Sequence, residues 1–206
     1  MGKIRILVAD DHTVVRMGIS ALLGTERDFE VVGQAKDGAE AVTEALRLRP
    51  DVVIMDLMMP AKDGVEATRE LSMALPSAKT LILTTFGTSD GIAHALECGA
   101  SGAVLKNAED DELIDAVRKV AAGGKYVSPD VKSQLETDPP VPDLTPRQLE
   151  ILDCMTRGLT NPDIARQLGI RRDGVAIHVA TILQKIGAAN RTEAVAIALR
   201  KHLLKI

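Results

Sequence analysis

The sequence predicts a doubly wound α/β domain built on a five-stranded parallel sheet, followed by an all-α domain of four helices. Three observations carry this expectation. Short apolar runs alternate with helical patterns over the first 125 residues, a cluster of prolines interrupts the chain near residue 140, and every periodic segment after it has helical spacing. Charge divides in the same way: residues 143–206 hold ten Lys and Arg against six Asp and Glu, a net of +4, while the whole chain is −4. An acidic part followed by a basic part suggests two domains with different partners, the basic one meeting nucleic acid.

The elements are read in order. Residues 4–9 form an apolar run of strand length, and 14–23 carry an amphipathic helical pattern. The alternation repeats with strands at 31–35, 51–55, 80–85 and 103–105, and with helices at 39–48, 65–75, 92–97 and 111–122. Strands buried on both faces read as continuous hydrophobic runs, because helices cover both sides of a parallel sheet. Pro139, Pro140 and Pro142 can continue neither a helix nor a central strand. Boundaries of 1–125 for the first domain, 126–143 for a linker and 144–206 for the second domain follow.

In the second domain helices are expected at 147–155, 162–168, 174–186 and 192–201. Thr145-Pro146 and Asn161-Pro162 each set a capping residue before a proline at the first helical position. Gly158, Gly169 and Gly187 sit where helices should stop. The tight turn at 168–172 between the second and third helices suggests a helix-turn-helix. Val175, Val179, Ile182, Leu183 and Ile186 form the stripe that faces the core, leaving Asp173, Ala176, Ile177, Ala180 and Gln184 outward.

Composition excludes several function classes. Aromatic residues are 1% of the chain, so base stacking on single strands has no platform. Cys98 and Cys154 stand alone without metal-ligand spacing, which argues against a zinc site or a disulfide framework. No apolar run approaches the roughly 18 residues that span a bilayer. The N-terminus enters the first strand directly, and a cytoplasmic protein without membrane contact is expected.

The chemistry-bearing residues fall at the carboxyl ends of the strands, where open parallel sheets bind ligands. Asp10 and Asp11 follow the first strand, Asp56 the third, Thr84 ends the fourth and Lys106 follows the fifth. Three carboxylates in one crevice repel one another unless a cation joins them, and hard oxygen donors favour Mg2+. A lysine and a hydroxyl opposite would complete a phosphate cradle, and one carboxylate would serve as nucleophile. One strand-end aspartate is usually only a cap. Five such groups at matching ends point to a site.

These residues resemble the receiver domain of two-component response regulators of the NarL/FixJ group. The resemblance rests on Val8-Ala9-Asp10-Asp11-His12, on Asp56-Leu57-Met58-Met59-Pro60 with Asp63-Gly64, on Leu83-Thr84-Thr85, and on Gly99-Ala100-Ser101-Gly102 leading to Lys106. It implies a flavodoxin-like fold with Asp56 phosphorylated by a sensor histidine kinase. It implies that Asp11, Asp56 and the Met58 carbonyl hold Mg2+, with Asp10 acting through water, and that Thr84 and Lys106 bind phosphoryl oxygens. His12 has at most a positioning role, His94 is read as a surface or packing residue, and His178 as a packing residue. Receivers of this kind usually carry an aromatic three residues before the lysine, where this chain has Ala103.

Residues 144–206 resemble the LuxR-type helix-turn-helix domain, through Leu144-Thr145-Pro146-Arg147-Gln148, Gly158-Leu159-Thr160-Asn161, Lys185-Ile186-Gly187 and Asn190-Arg191-Thr192-Glu193-Ala194. The implied partner is double-stranded DNA, bound by a homodimer when the protein is active. Thr160, Asn161, Arg171, Arg172, Ile177, Lys185 and Arg191 are the candidate contacts. Gly174 and Ala176 stand where relatives typically carry Thr and Lys. A second reading therefore stays open, in which the nearly uncharged face of Ala176, Ile177 and Ala180 docks a protein. An enzyme of the aspartyl-phosphatase kind would need a second Asp two residues after the nucleophile, where this chain has Met58, so a regulator rather than an enzyme is expected.

Overall fold

A computed structural model describes residues 2–85, 89–140, 144–201 and 203–204. The glycine-rich segment at 86–88 and the end of the proline cluster at 141–143 lie outside the described residues. The chain divides into two compact units, Met1–Pro139 and Pro140–Ile206.

In the first unit, β1 (Ile4–Ala9), β2 (Phe29–Ala35), β3 (Val52–Met55), β4 (Lys79–Thr84) and β5 (Gly102–Leu105) alternate with α1 (Thr13–Gly24), α2 (Gly38–Leu48), α3 (Gly64–Ala74), α4 (Ser89–Glu97) and α5 (Asp110–Ala121). With a sixth strand, β6 (Tyr126–Val127), the sheet runs β2-β1-β3-β4-β5-β6 with every pairing parallel. Side chains alternate between its faces, as the pleat requires. Leu7, Val53, Met55 and Ile82 join the core under α2, α3 and α4, whereas Ile6, Val8, Ile54 and Leu83 join Leu113, Ile114 and Val117 of α5 on the opposite face. Strand order reverses at β1, so the crevice of this topology opens at the carboxyl ends of β1 and β3.

The sixth strand corrects the sequence reading. Residues 126–137, assigned above to a linker, form β6 (Tyr126–Val127) and α6 (Pro129–Thr137). β6 pairs with β5 through Gly102↔Tyr126 and Ala103↔Val127. A Cβ at Gly102 would lie 2.1 Å from the Tyr126 carbonyl oxygen, so glycine permits this close approach. Ser128 caps α6 by accepting from the Val131 N–H at 3.3 Å, with Pro129 starting the helix. Val131 is fully buried in the same core as Ala103, Ile92 and Ala95.

The second unit consists of α7 (Pro146–Thr156), α8 (Asn161–Leu168), α9 (Arg172–Ile186) and α10 (Arg191–Arg200). Ile151, Leu152, Ile164, Val175, Ile182, Ala194 and Ala198 meet in one core, and Val179 and Leu183 pack against it. Thr145 and Gln148 form a reciprocal capping box at α7. The cap of α8 is Thr160 rather than Asn161, because the Asp163 carboxylate reaches back to the Thr160 N–H and hydroxyl. Gly169, at φ 65°, turns the chain from α8 toward α9.

Candidate functional site

Register explains how distant residues meet. Ala9 pairs with Met55, so Asp10 and Asp56 leave neighbouring strands side by side. Thr84 pairs with Leu105, which brings Lys106 one residue beyond. Backbone bonds continue past the strand ends: the Asp56 N–H donates to the Ala9 carbonyl at 2.9 Å, and the Lys106 N–H to the Thr84 carbonyl at 2.7 Å.

The Lys106 ammonium sits 2.7 Å from Asp10 Oδ2 and 2.8 Å from Asp56 Oδ2. Both carboxylates are almost fully buried, and Thr84 is wholly so. Burial pushes the Asp56 carboxyl above its ordinary value, while the Lys106 hydrogen bond and charge pull it back and the Asp10 charge adds to the rise. Burial alone would lower the Lys106 ammonium, but its hydrogen bonds to Asp10 and Asp56 outweigh this and hold it above its ordinary value. A single ammonium thus bridges two buried carboxylates, with Asp11 and its partly exposed side chain beside them.

One potential ligand atom from each of Asp10, Asp11, His12 and Asp56 lies within 4.8 Å of the others. His12 Nδ1 is 2.7 Å from Asp11 Oδ1, and the His12 N–H donates to Asp10 Oδ1 at 2.8 Å. Three carboxylates facing one lysine leave an excess of negative charge, and this oxygen donor set fits a hard divalent cation. Met58 lies on the loop two residues past Asp56, with its side chain half-exposed.

Two residues that support the site had no role assigned from the sequence, although Gly64 belongs to the motif quoted above. Gly64 opens α3 directly against the Asp56 backbone: a Cβ there would lie 2.1 Å from the Asp56 carbonyl oxygen. Its N–H donates to Leu57 at 2.9 Å, folding the loop that carries Met58. Arg16, one turn into α1, donates from its guanidinium to the Asp10 carbonyl at 2.6 Å. The signal for Arg16 was its place four residues after His12, on the first turn of a helix that starts at the acid pair.

In the second unit the candidate contacts separate into two groups. Arg171, 92% exposed, and Arg172 stand at the start of α9, and Ile177 is 67% exposed further along it. Thr160 is exposed at the start of α8. Lys185 and Arg191 are turned toward their own domain. Lys185 Nζ donates to Gln148 Oε1 at 3.3 Å, and Arg191 donates to Asn161 Oδ1 at 3.2 Å and to the Leu159 carbonyl at 2.5 Å. Burial lowers the Arg191 guanidinium below its ordinary value. Asn161 is thereby engaged as well. His178 is half-buried on α9.

Comparison with known proteins agrees with this geometry. Residues 6–118 match the family described as response regulator receiver domain, and residues 142–198 match bacterial regulatory proteins of the luxR family. The chain is 38% identical to the transcriptional regulatory protein LiaR of Bacillus subtilis, covering 98% of this chain and 99% of that one. It is 39% identical to the oxygen regulatory protein NreC of Staphylococcus carnosus, over 97% and 99%. Among solved structures, the response regulator ChrA of a heme-sensing two-component system aligns at 37% identity with a TM-score of 0.61, covering 99% of this chain and all of that one. Relatives that regulate transcription favour the DNA reading of the helical unit over the protein-docking alternative. A sheet that gathers an acid pair, a buried aspartate and a lysine at its carboxyl edge, joined to a LuxR-type helical unit, makes this chain a two-component response regulator with a receiver domain and a DNA-binding domain.

Proposed function

We propose that Asp56 is the phosphoacceptor, and that its phosphorylation by a sensor histidine kinase controls binding of a homodimer to double-stranded DNA. The observation that carries this is the Lys106 ammonium between Asp10 and Asp56, at 2.7 and 2.8 Å. An Asp56 carboxylate oxygen attacks phosphorus, the P–N bond of the kinase phosphohistidine breaks, and the departing imidazole nitrogen keeps the electron pair. Lys106 and the Thr84 hydroxyl then bind phosphoryl oxygens, drawing Lys106 away from the Asp10–Asp56 pair. Asp11, Asp56 and the Met58 carbonyl would hold Mg2+, with Asp10 acting through water. Bound there, the ion would neutralise charge on the phosphoryl group. Asp10, Asp11 and Lys106 therefore prepare the site, and Asp56 alone is covalently changed.

On the output side, Arg171 and Arg172 contact phosphates, Thr160 supports the backbone contact, and Ile177 reads a base edge through apolar contact. Lys185, Asn161 and Arg191 remain candidate DNA contacts; their hydrogen bonds tie α9 to α7 and α10 to the start of α8. We take the boundaries of the first unit as 1–139, because β6 and α6 belong to its sheet and core. The proposed DNA and kinase partners support a cytoplasmic location; among the described residues no helix is long and apolar enough to cross a membrane.

Phosphotransfer from a labelled histidine kinase tests the reading. Label should reach the wild-type chain and not Asp56→Asn, and promoter binding should rise only where label is found. Labelling of Asp56→Asn, or equal DNA affinity in every state, would refute it.

A further inference from the structure

We infer that Arg16 is a positioning residue for the acid pair, setting the direction of Asp10 and Asp11 toward the cation that the site takes. The inference rests on the reading of the acidic cluster given above. Its starting point is the peptide that joins Asp10 to Asp11. Each residue has only two soft backbone dihedrals, so fixing the direction of the Asp10 carbonyl also fixes how the following Asp11 leaves the strand.

Arg16 fixes that carbonyl. One guanidinium nitrogen donates to it at 2.6 Å, Nε donates to Gln34 Oε1 on β2 at 3.3 Å, and the other terminal nitrogen reaches Thr13 Oγ1 at 3.4 Å. Gln34 is itself braced, donating from Nε2 to Ser20 Oγ at 3.0 Å, while the Ser20 hydroxyl donates to the Arg16 carbonyl at 2.8 Å. The result is a closed ring across α1 and β2 that ends on the Asp10 carbonyl. From the other side the His12 N–H holds Asp10 Oδ1 at 2.8 Å. The acid pair is thus pinned at both a carbonyl and a carboxylate oxygen.

The chemistry of the contact matters. A guanidinium offers several donors in a planar fork, which a lysine cannot reproduce. It spends them on a carbonyl, a side-chain amide and a hydroxyl, and on no carboxylate. Arg16 therefore occupies no carboxylate oxygen of the cluster. The positive charge of Arg16 opposes a cation at the site, so any benefit it gives arises from geometry. Partners that orient metal ligands in this way typically change affinity by about 10-fold or more when removed.

Calorimetric titration of Mg2+ into the full chain tests this, with Arg16→Met, Arg16→Lys and Gln34→Ala beside the wild type. Arg16→Met is expected to weaken Mg2+ binding by about 10-fold. Arg16→Lys keeps the charge but not the fork and should lose most of the same affinity, with Gln34→Ala showing a smaller loss in the same direction. Phosphorylation by a small phosphodonor should then need more Mg2+ for half-maximal rate, and saturating Mg2+ should restore the wild-type rate. A merely destabilised chain would instead show a lowered melting temperature in the absence of Mg2+, which a positioning role does not require. Unchanged or tighter Mg2+ binding by Arg16→Met overturns the role of Arg16 while leaving the acidic-site reading intact. Failure of the wild type to bind Mg2+ overturns both.

Discussion

Replacing Val131 with alanine tests whether β6 and α6 are part of the first domain. Val131 is fully buried, in a core shared with Ala103, Ile92 and Leu105. The substitution removes two methyl-sized groups, a transfer loss of about 1.6 kcal/mol at 0.8 kcal/mol per group. A residual cavity adds to that, so a total near 2 kcal/mol is expected. For a domain of this size, that loss lowers the melting temperature by about 4–8 °C. Denaturant titration of the full chain, followed by Tyr126 fluorescence, measures it directly. Tyr126 is the single tyrosine, the chain has no tryptophan, and the reporter sits on β6 itself. The neighbouring Lys132 is exposed, and Lys132→Ala should stay within about 0.5 kcal/mol. A Val131→Ala loss no larger than that of Lys132→Ala would show that 126–137 is a tether lying loosely on the surface, and the packing argument would fail.

Tyr126 also gives a pH prediction. Burial, then the hydrogen bond it donates to Glu112 at 2.8 Å, pushes its phenol up to about 12. A folded value above the unfolded value near 10 means that this contribution is complete below about pH 10 and is lost as pH rises through about 12. Tyrosinate absorbance should show the raised midpoint, and Glu112→Gln should bring it down; a midpoint near 10 in the native wild type would contradict the contact. Gly174 has no atom within 4 Å of an added Cβ, so Gly174→Ala should stabilise the helical domain by about 0.5–1 kcal/mol in a thermal melt. Gly64→Ala drives a methyl into the Asp56 carbonyl and should cost about 1–3 kcal/mol, with slower phosphorylation of Asp56; wild-type stability would refute the close approach. Arg171→Ala and Arg172→Ala should each weaken DNA binding across all sequences and reduce the salt slope by about 1, measured by titration at several salt concentrations.

Much of the receiver was legible because its signals are local. The runs ending at Ala9 and Met55 are mainly apolar, and the aspartates that follow them carry the charge. Parallel register then brings Asp10, Asp56 and Lys106 together without further information. Residues 126–137 were illegible for the opposite reason. β6 is two residues long, and the prolines that follow outweighed it. Yet Ser128-Pro129 repeats the pattern of Thr145-Pro146, which was read as a helix start, and Val131 with Gln134 and Leu135 gives helical spacing. The inward turn of Lys185 and Arg191 was equally hidden. A basic residue near a helix end reads the same whether it meets solvent or the carbonyl of another helix.

The parallel pairing of β6 with β5 bears on how the receiver can be prepared alone. A fragment cut at Gly124 would strip the partner from Gly102 and Ala103 and leave a small, apolar strand edge open to other chains. It would also uncover the patch that Val131 and Leu135 close. Such a fragment should self-associate, whereas one cut after Pro139 should stay monodisperse at the same concentration. Light scattering on the two fragments would distinguish them, and kinase assays on the shorter one would report on an aggregating species rather than on the receiver.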